Sequence, residues 1–260
     1  MLNKNIRKHF ILLFLLIIPV LISLQDTISA EHPPNPSNGN SNSIFITSNA
    51  KLDAFVAGNG TTGLTIESAH RIENITIQTN PDEYGIFIQN VDRFLIIRNC
   101  SIFSINSADS KESGIEIRLS KNIIIDNCSI SDHNIGIMLL DSHQILINGS
   151  ILSQNFEAGI KLLESDNNIL THNTITHNLG YGIYLKRAHE NTVMNNFLED
   201  NGNICILNRG NDNIFENNSC EPTSNTAILG KTWLWVVIGV GGAVFFIGGL
   251  MFFITWRGHV

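Results

Sequence analysis

From residue 85 onward the chain carries short bursts of alternating apolar and polar positions, each opening on glycine: Gly85, Gly114, Gly136, Gly159 and Gly182, with Asn203 taking the slot in "NICIL". The spacings are 29, 22, 23, 23 and 21 residues, and "FSINSADSKES" from Phe103 to Ser113 reads as an insertion that lengthens the first. Behind each opening residue the apolar set recurs every second position: Ile86/Ile88, Ile115/Ile117, Ile137/Leu139, Ile160/Leu162, Ile183/Leu185 and Ile204/Ile206. Period two with one apolar set predicts strands with one buried face.

About thirteen residues after each opening comes a second pattern of apolar, any, Asn, any, any, apolar. It runs Ile72/Asn74/Ile77, Ile97/Asn99/Ile102, Ile125/Asn127/Ile130, Leu146/Asn148/Ile151, Leu170/His172/Ile175, Val193/Asn195/Leu198 and Phe215/Asn217/Cys220. A unit of this size cannot bury its own apolar face, so successive units must stack. Short period-two strands exclude helical solenoids, and propeller blades are about twice as long. The predicted fold is therefore all-β: a right-handed parallel β-helix of about seven coils over residues 44–220, with rungs ~4.8 Å apart. Asparagine is the expected corner residue because it tolerates positive φ and can bond to its copy on the next coil. The predicted ladder is Asn74, Asn99, Asn127, Asn148, His172, Asn195 and Asn217. In "GIKLLESDNNILTHNTITHN", Asn168, Asn173 and Asn178 are expected to turn the corners of one complete coil.

"GIFIQNVDRFLIIRNCSI" and "DNNILTHNTI" resemble the NosD-type right-handed β-helix repeat proteins, a group described with carbohydrate-binding and sugar-hydrolase domains. The entry segment "LDAFVAGNGTTGLTIESAHRIENITI" resembles the start of exported members. The resemblance implies the fold and leaves the function open among binding, polysaccharide chemistry and a NosD-like accessory role for a copper enzyme.

The two chain ends lie outside this pattern. Lys4, Arg7 and Lys8 precede an apolar run from Phe10 to about Leu24 that closes on "ISA", the layout of a secretory signal over 1–30. A flexible leader is expected over 31–43 and a stalk over 221–231. Residues 232–256 read as a transmembrane helix, since Trp233 to Thr255 is free of charge and tryptophans flank it. Residues 257–260 would then form a cytoplasmic tail, with the β-helix outside the cell. Between the ends, 11 Lys and Arg face 22 Asp and Glu, a formal charge of −11 that argues against nucleic acid as a partner.

Catalysis on such a scaffold would need clustered acids on the outer strand face. Among the outward positions Phe87, Gln89, Glu116, Arg118, Met138, Leu140, Lys161, Leu163, Tyr184, Lys186, Cys205 and Leu207 there is one carboxylate and no stacked pair. That argues against an enzyme and nominates Phe87, Arg118, Met138, Leu140, Lys161, Leu163, Tyr184 and Lys186 as a ligand-binding face, for glycan or a surface protein. His133, His143, His172, His177 and His189 lie on the array, but equivalent corners put them two coils apart, so no metal or cofactor is assigned and the corner histidines are expected to be solvated. Cys100 and Cys128 fall at equivalent positions on adjacent coils, a spacing compatible with a disulfide or with two buried thiols. Cys205 is expected to point outward and Cys220 inward, which argues against their pairing. Sequons start at Asn59, Asn74, Asn99, Asn127, Asn148 and Asn217; ladder asparagines turned inward could not carry glycans, which favours Asn59.

Overall fold

A computed structural model describes residues 43–105, 112–202, 204–221, 237–240 and 243–246. The chain winds through three seven-stranded sheets, so six turns join the seven rungs. The first sheet contains Ile44–Ile46, Ile86–Gln89, Ser113–Arg118, Ile135–Leu140, Ala158–Leu163, Tyr181–Lys186 and Ile204–Arg209. The second runs from His70–Glu73 to Ile214–Glu216, and the third from Thr76–Thr79 to Ser219–Glu221. Each rung pairs with the next in parallel, as in Ile137↔Ile160 and Ile160↔Ile183. The inward isoleucines and leucines are 0–2% exposed and form one continuous core. This is the right-handed β-helix that the repeat predicts.

The predicted register fails by one residue in the unit around Asn148 and by two on the last rung, where Ile206, not Ile204, aligns with Ile183. Ile147, not Leu146, aligns with Ile125 and Leu170, and Leu152, not Ile151, lies in the core. A shift of one residue exchanges the two faces of a strand, so Ile151 is 49% exposed. Gly149 therefore takes the corner slot assigned to Asn148, and Asn148 ends the preceding strand. The rest of the predicted column stands. Asn74, Asn99, Asn127, Gly149, His172, Asn195 and Asn217 all have φ between +50° and +59°, a region that Asn and Gly enter at low cost. This column faces outward, and Asn99 and Asn127 each donate Nδ2 to the asparagine one coil back, at 3.2 and 2.8 Å.

Three inner ladders do the buried work. Where the chain turns, some backbone N–H groups meet no carbonyl on the next coil, and a buried N–H without an acceptor costs about 1–3 kcal/mol. Asparagine Oδ1 supplies the acceptor. Asn173 accepts from Ser150 N at 3.0 Å, Asn178 from Asn155 N at 3.0 Å, and Asn168 from Ile145 N at 2.9 Å. Each is about 1% exposed. The expectation for this coil's corners holds at all three.

The opening glycines answer a steric demand. A Cβ on Gly85, Gly114, Gly159 or Gly182 would stand 2.3–2.7 Å from Ile102, Ile130, Ile175 or Leu198 of the third sheet. On the last rung the slot belongs to Cys205, in line with Gly182, and its third-sheet partner is Cys220, in line with Leu198. The two are joined in a disulfide, with Cα atoms 5.9 Å apart. This corrects two expectations: Cys205 rather than Asn203 continues the glycine column, and it turns inward to its partner. Of the two readings left open for Cys100 and Cys128, the pair of buried thiols holds; both are free. Each thiol has its nearest carbonyl in its own coil, Arg98 O at 3.3 Å for Cys100 and Asp126 O at 3.4 Å for Cys128, and one of the preceding coil, Ile72 O or Ile97 O, at 3.6 Å.

The N-terminal end of the core is capped by helix α1, Asn49–Phe55, whose Leu52 is fully buried. His70, 2% exposed, stands in line with core residue Leu95 and meets Asp53 Oδ1 at 2.9 Å and Thr61 Oγ1 at 2.8 Å. It thereby ties the helix and the "GNGTTG" loop to the first rung.

At the other end of the chain, Val237–Val240 pairs antiparallel with Ala243–Phe246, where the sequence predicts helix. Among the described residues no helix is long and apolar enough to cross a membrane. The remainder of 232–256, and the expected signal, stalk and tail, lie outside the described residues.

Two predictions follow from the interior. The Cys205–Cys220 disulfide closes a loop of about 15 residues, for which chain entropy gives about 3 kcal/mol. Reduction should therefore raise amide exchange within residues 204–221 and leave the central coils unchanged; uniform exchange behaviour would contradict this. His133 stands in a ladder slot, fully buried, where the sequence expects a solvated histidine. Its Nδ1–H donates to Ser131 O at 2.7 Å and its Nε2 accepts from Thr79 Oγ1 at 3.0 Å. Burial lowers its pKa to about 4. The unfolded chain therefore takes up a proton that the folded one refuses. Stability should be full above about pH 6.5 and fall by roughly 3 kcal/mol towards pH 4. His133→Asn should flatten that slope in urea titrations.

Candidate functional site

The outer face of the first sheet carries one row in register: Phe45, Phe87, Glu116, Met138, Lys161, Tyr184 and Leu207. A second row holds Gln89, Arg118, Leu140, Leu163, Lys186 and Arg209. All eight residues nominated from the sequence thus share one face. They are not equally open, however. Phe87, Met138 and Tyr184 are each 8% exposed, Leu140 and Leu163 are half-buried, and Lys186 is exposed.

Two clusters account for the burial of Phe87 and Tyr184. At the N-terminal end the rings of Phe45, Tyr84 and Phe87 pack together, with centroids 5.0–6.2 Å apart, and Arg118 lies 5.1 Å from the Phe87 centroid. Arg118 also forms an ion pair with Glu116 and donates to Tyr84 Oη at 3.3 Å. Glu116 accepts in addition from Ser113 Oγ at 3.1 Å. Four rungs further on, Tyr181 and Tyr184 pack at 5.0 Å, and Lys161 lies 5.8 Å from the Tyr184 ring and is ion-paired to Glu157. Cation and ring attract through the ring quadrupole, so each cluster holds its charge beside an aromatic surface.

Phe45, Tyr84, Tyr181 and Glu157 were not among the nominated residues. Tyr84 and Tyr181 each directly precede an opening glycine, and because that glycine turns inward the residue before it faces out. This placement was available in the sequence as a column before the glycines. Phe45 lies on the first rung, before the repeat declares itself.

Burial, a hydrogen bond to Glu112 and the nearby Glu116 charge raise the pKa of the Tyr84 phenol well above its ordinary value. It stays protonated at neutral pH and is a poor base. Of the carboxylates on this face, Glu116 and Glu157 are engaged by cations, and Glu112 accepts from the Tyr84 phenol. The arrangement sets aromatic faces, paired charges and a protonated phenol on one surface.

A family model for the right-handed β-helix region matches residues 55–220. The chain belongs to that family. This β-helix is similar in fold to the alginate lyase from Paenibacillus sp. str. FPU-7, with 13% identity, TM-score 0.47, and 68% of this chain and 75% of that one covered. It is also similar to the periplasmic alginate epimerase AlgG, with 14% identity and TM-score 0.40, covering 55% of this chain and 49% of that one. A third similar structure is the catalytic domain of an α-1,3-glucanase in complex with tetrasaccharides, at 12% identity and TM-score 0.41, with 71% and 40% covered. Curated proteins give no match. At these identities the likeness is one of fold.

The histidines of this β-helix are not brought together. His133 is internal, His143 is exposed in line with Lys121, His172 contacts Thr171, His177 lies 3.6 Å from Asp200, and His189 Nδ1 accepts from Asn211 N. Among the described residues no three metal-ligating side chains cluster.

The Glu116–Arg118 pair yields a prediction. Glu116 is 5% exposed, while Arg118 is about a third exposed and partly screened. Arg118→Met should cost about 1–3 kcal/mol by leaving that carboxylate unpaired, and Glu116→Gln in the same background should recover most of it. Denaturant midpoints of the wild type and these two variants check this.

Proposed function

We propose that the protein is displayed at a membrane surface and uses the outer face of its first sheet to bind glycan without cleaving it. The observation that carries this reading is the pair of aromatic and cation clusters, Phe45/Tyr84/Phe87 with Arg118 and Tyr181/Tyr184 with Lys161, at the two ends of one face. Sugar rings present apolar C–H faces that stack on aromatic rings, while guanidinium and ammonium groups bond to hydroxyl or acidic substituents. Phe45, 57% exposed, and the half-buried Tyr181 are the accessible platforms. From Phe87 to Tyr184 is four rungs, about 19 Å at ~4.8 Å per rung, which suits a short oligosaccharide lying along the axis. The apolar runs at 10–24 and 233–255 support export and a membrane anchor, with the β-helix outside and a short tail in the cytoplasm.

The enzymatic alternative has one specific observation in its favour: Glu116, Arg118 and Tyr84 bring a carboxylate, a guanidinium and a protonated phenol into contact. A polysaccharide lyase, epimerase or hydrolase would work from there. The neutralised acids and the high pKa of Tyr84 weigh against it.

Detergent-solubilised full chain on a glycan array tests the two readings together. Binding should weaken about tenfold, near 1.4 kcal/mol, in Phe45→Ala and in Tyr181→Ala, with the bound glycan recovered intact. Silence across the array would overturn the binding reading. New chain ends that vanish in Glu116→Gln would replace it with the enzyme.

A further inference from the structure

The outward corner column between the second and third sheets includes several sequons, and the fold sorts them. A folded chain tolerates an N-linked glycan where the asparagine amide nitrogen lies in solvent and holds nothing else. Asn148 is half-buried and donates Nδ2 to Asp126 at 2.7 Å. Asn99 and Asn127 are exposed, but each uses Nδ2 to bond the previous coil. Asn74 and Asn217 are exposed, and among the described residues their Nδ2 atoms have no partner. Asn74 is the end of the outer ladder, accepting from Asn99 while its own amide nitrogen is left over. The sequon hydroxyls follow at Thr76 and Ser219. Contrary to the sequence expectation, these ladder asparagines face solvent. Asn59, also exposed, keeps its place as an acceptor.

Position adds a second, independent observation. Asn74 joins His70–Glu73 to Thr76–Thr79, the first strands of the second and third sheets. Asn217 joins Ile214–Glu216 to Ser219–Glu221, the last strands of the same two sheets. All four are edge strands among the described residues, and Ile204 and Phe215 on the last rung are 48% and 38% exposed. Unpaired edges beside apolar surface invite pairing with another chain, and a bulky polar group there prevents it.

The geometry points to Asn74 and Asn217 as N-glycan acceptors, the glycan on Asn217 guarding the open last rung against edge-to-edge association. The inference rests on the export reading above. The donor is a lipid-linked oligosaccharide diphosphate. Asparagine Nδ2 attacks the sugar C1, the C1–N bond forms, the C1–O bond to the lipid diphosphate breaks, and Nδ2 gives up one proton.

The test is expression of the full chain in a eukaryotic secretory host, with export scored separately by protease protection in microsomes. Glycopeptide mass spectrometry after amidase release in heavy-oxygen water should mark residues 74 and 217. Thr76→Ala and Ser219→Ala should each remove one glycan while leaving the corner asparagine in place. Enzymatic deglycosylation should then produce concentration-dependent association in light scattering. An exported chain bare at both sites overturns the assignment, and one bare at a single site overturns it for that end. A chain that stays outside the lumen overturns it together with the export reading, and deglycosylated chain that stays monomeric overturns the guarding role.

Discussion

Everything in this molecule depends on parallel rung-to-rung pairing at a fixed spacing. Once the strands of one coil bond to those of the next, every side chain stands above its counterpart, and each column must contain residues that tolerate their own repetition. Isoleucine and leucine satisfy this in the core. At the corners the backbone turns away from its neighbour, and an N–H would be buried unbonded. The inner asparagines supply the missing acceptor: Asn168, Asn173 and Asn178 each accept from a backbone N–H one coil back. The polar residues that look out of place in an apolar repeat are what allow it to stack.

The two ends need different solutions, because stacking stops there. At the N-terminal end α1 and the "GNGTTG" loop cover the core, held by His70 between Asp53 and Thr61. At the C-terminal end, a disulfide replaces the glycine and leucine or isoleucine contact that the five preceding coils make in the same place. The last coil has no successor to hold it among the described residues, so a covalent link there contributes more than it would in the middle of the stack.

The candidate face follows the same logic in reverse. Outward columns are free of the core's demands, so chemistry can vary from rung to rung. Phe87, Glu116, Met138, Lys161 and Tyr184 occupy one column with five different side chains. Under the proposed function that variation would set specificity, and the two aromatic clusters crossed by Arg118 and Lys161 are the most structured parts of the face. The face is nevertheless closed in on itself, since Phe87 and Tyr184 are buried while Phe45 and Tyr181 remain more open.

The sequence alone determined the repeat, the parallel β-helix, the inward isoleucines and the positive-φ asparagine corners, because these are local demands that recur in every coil. It also placed all eight nominated residues on one face, since period two decides which side of a strand a residue takes. Only the tertiary structure decided the register around Asn148 and Gly149, where two adjacent residues both suit a corner and the pairing with Asn127 settles which one takes it. The same holds for the cysteines. Cys100 and Cys128 are stacked neighbours, yet both remain free thiols set against backbone carbonyls, while Cys205 and Cys220, on different sheets of one coil, face each other across the interior. Sequence spacing specifies position along the chain, and bonding depends on the direction in which the side chain leaves the backbone.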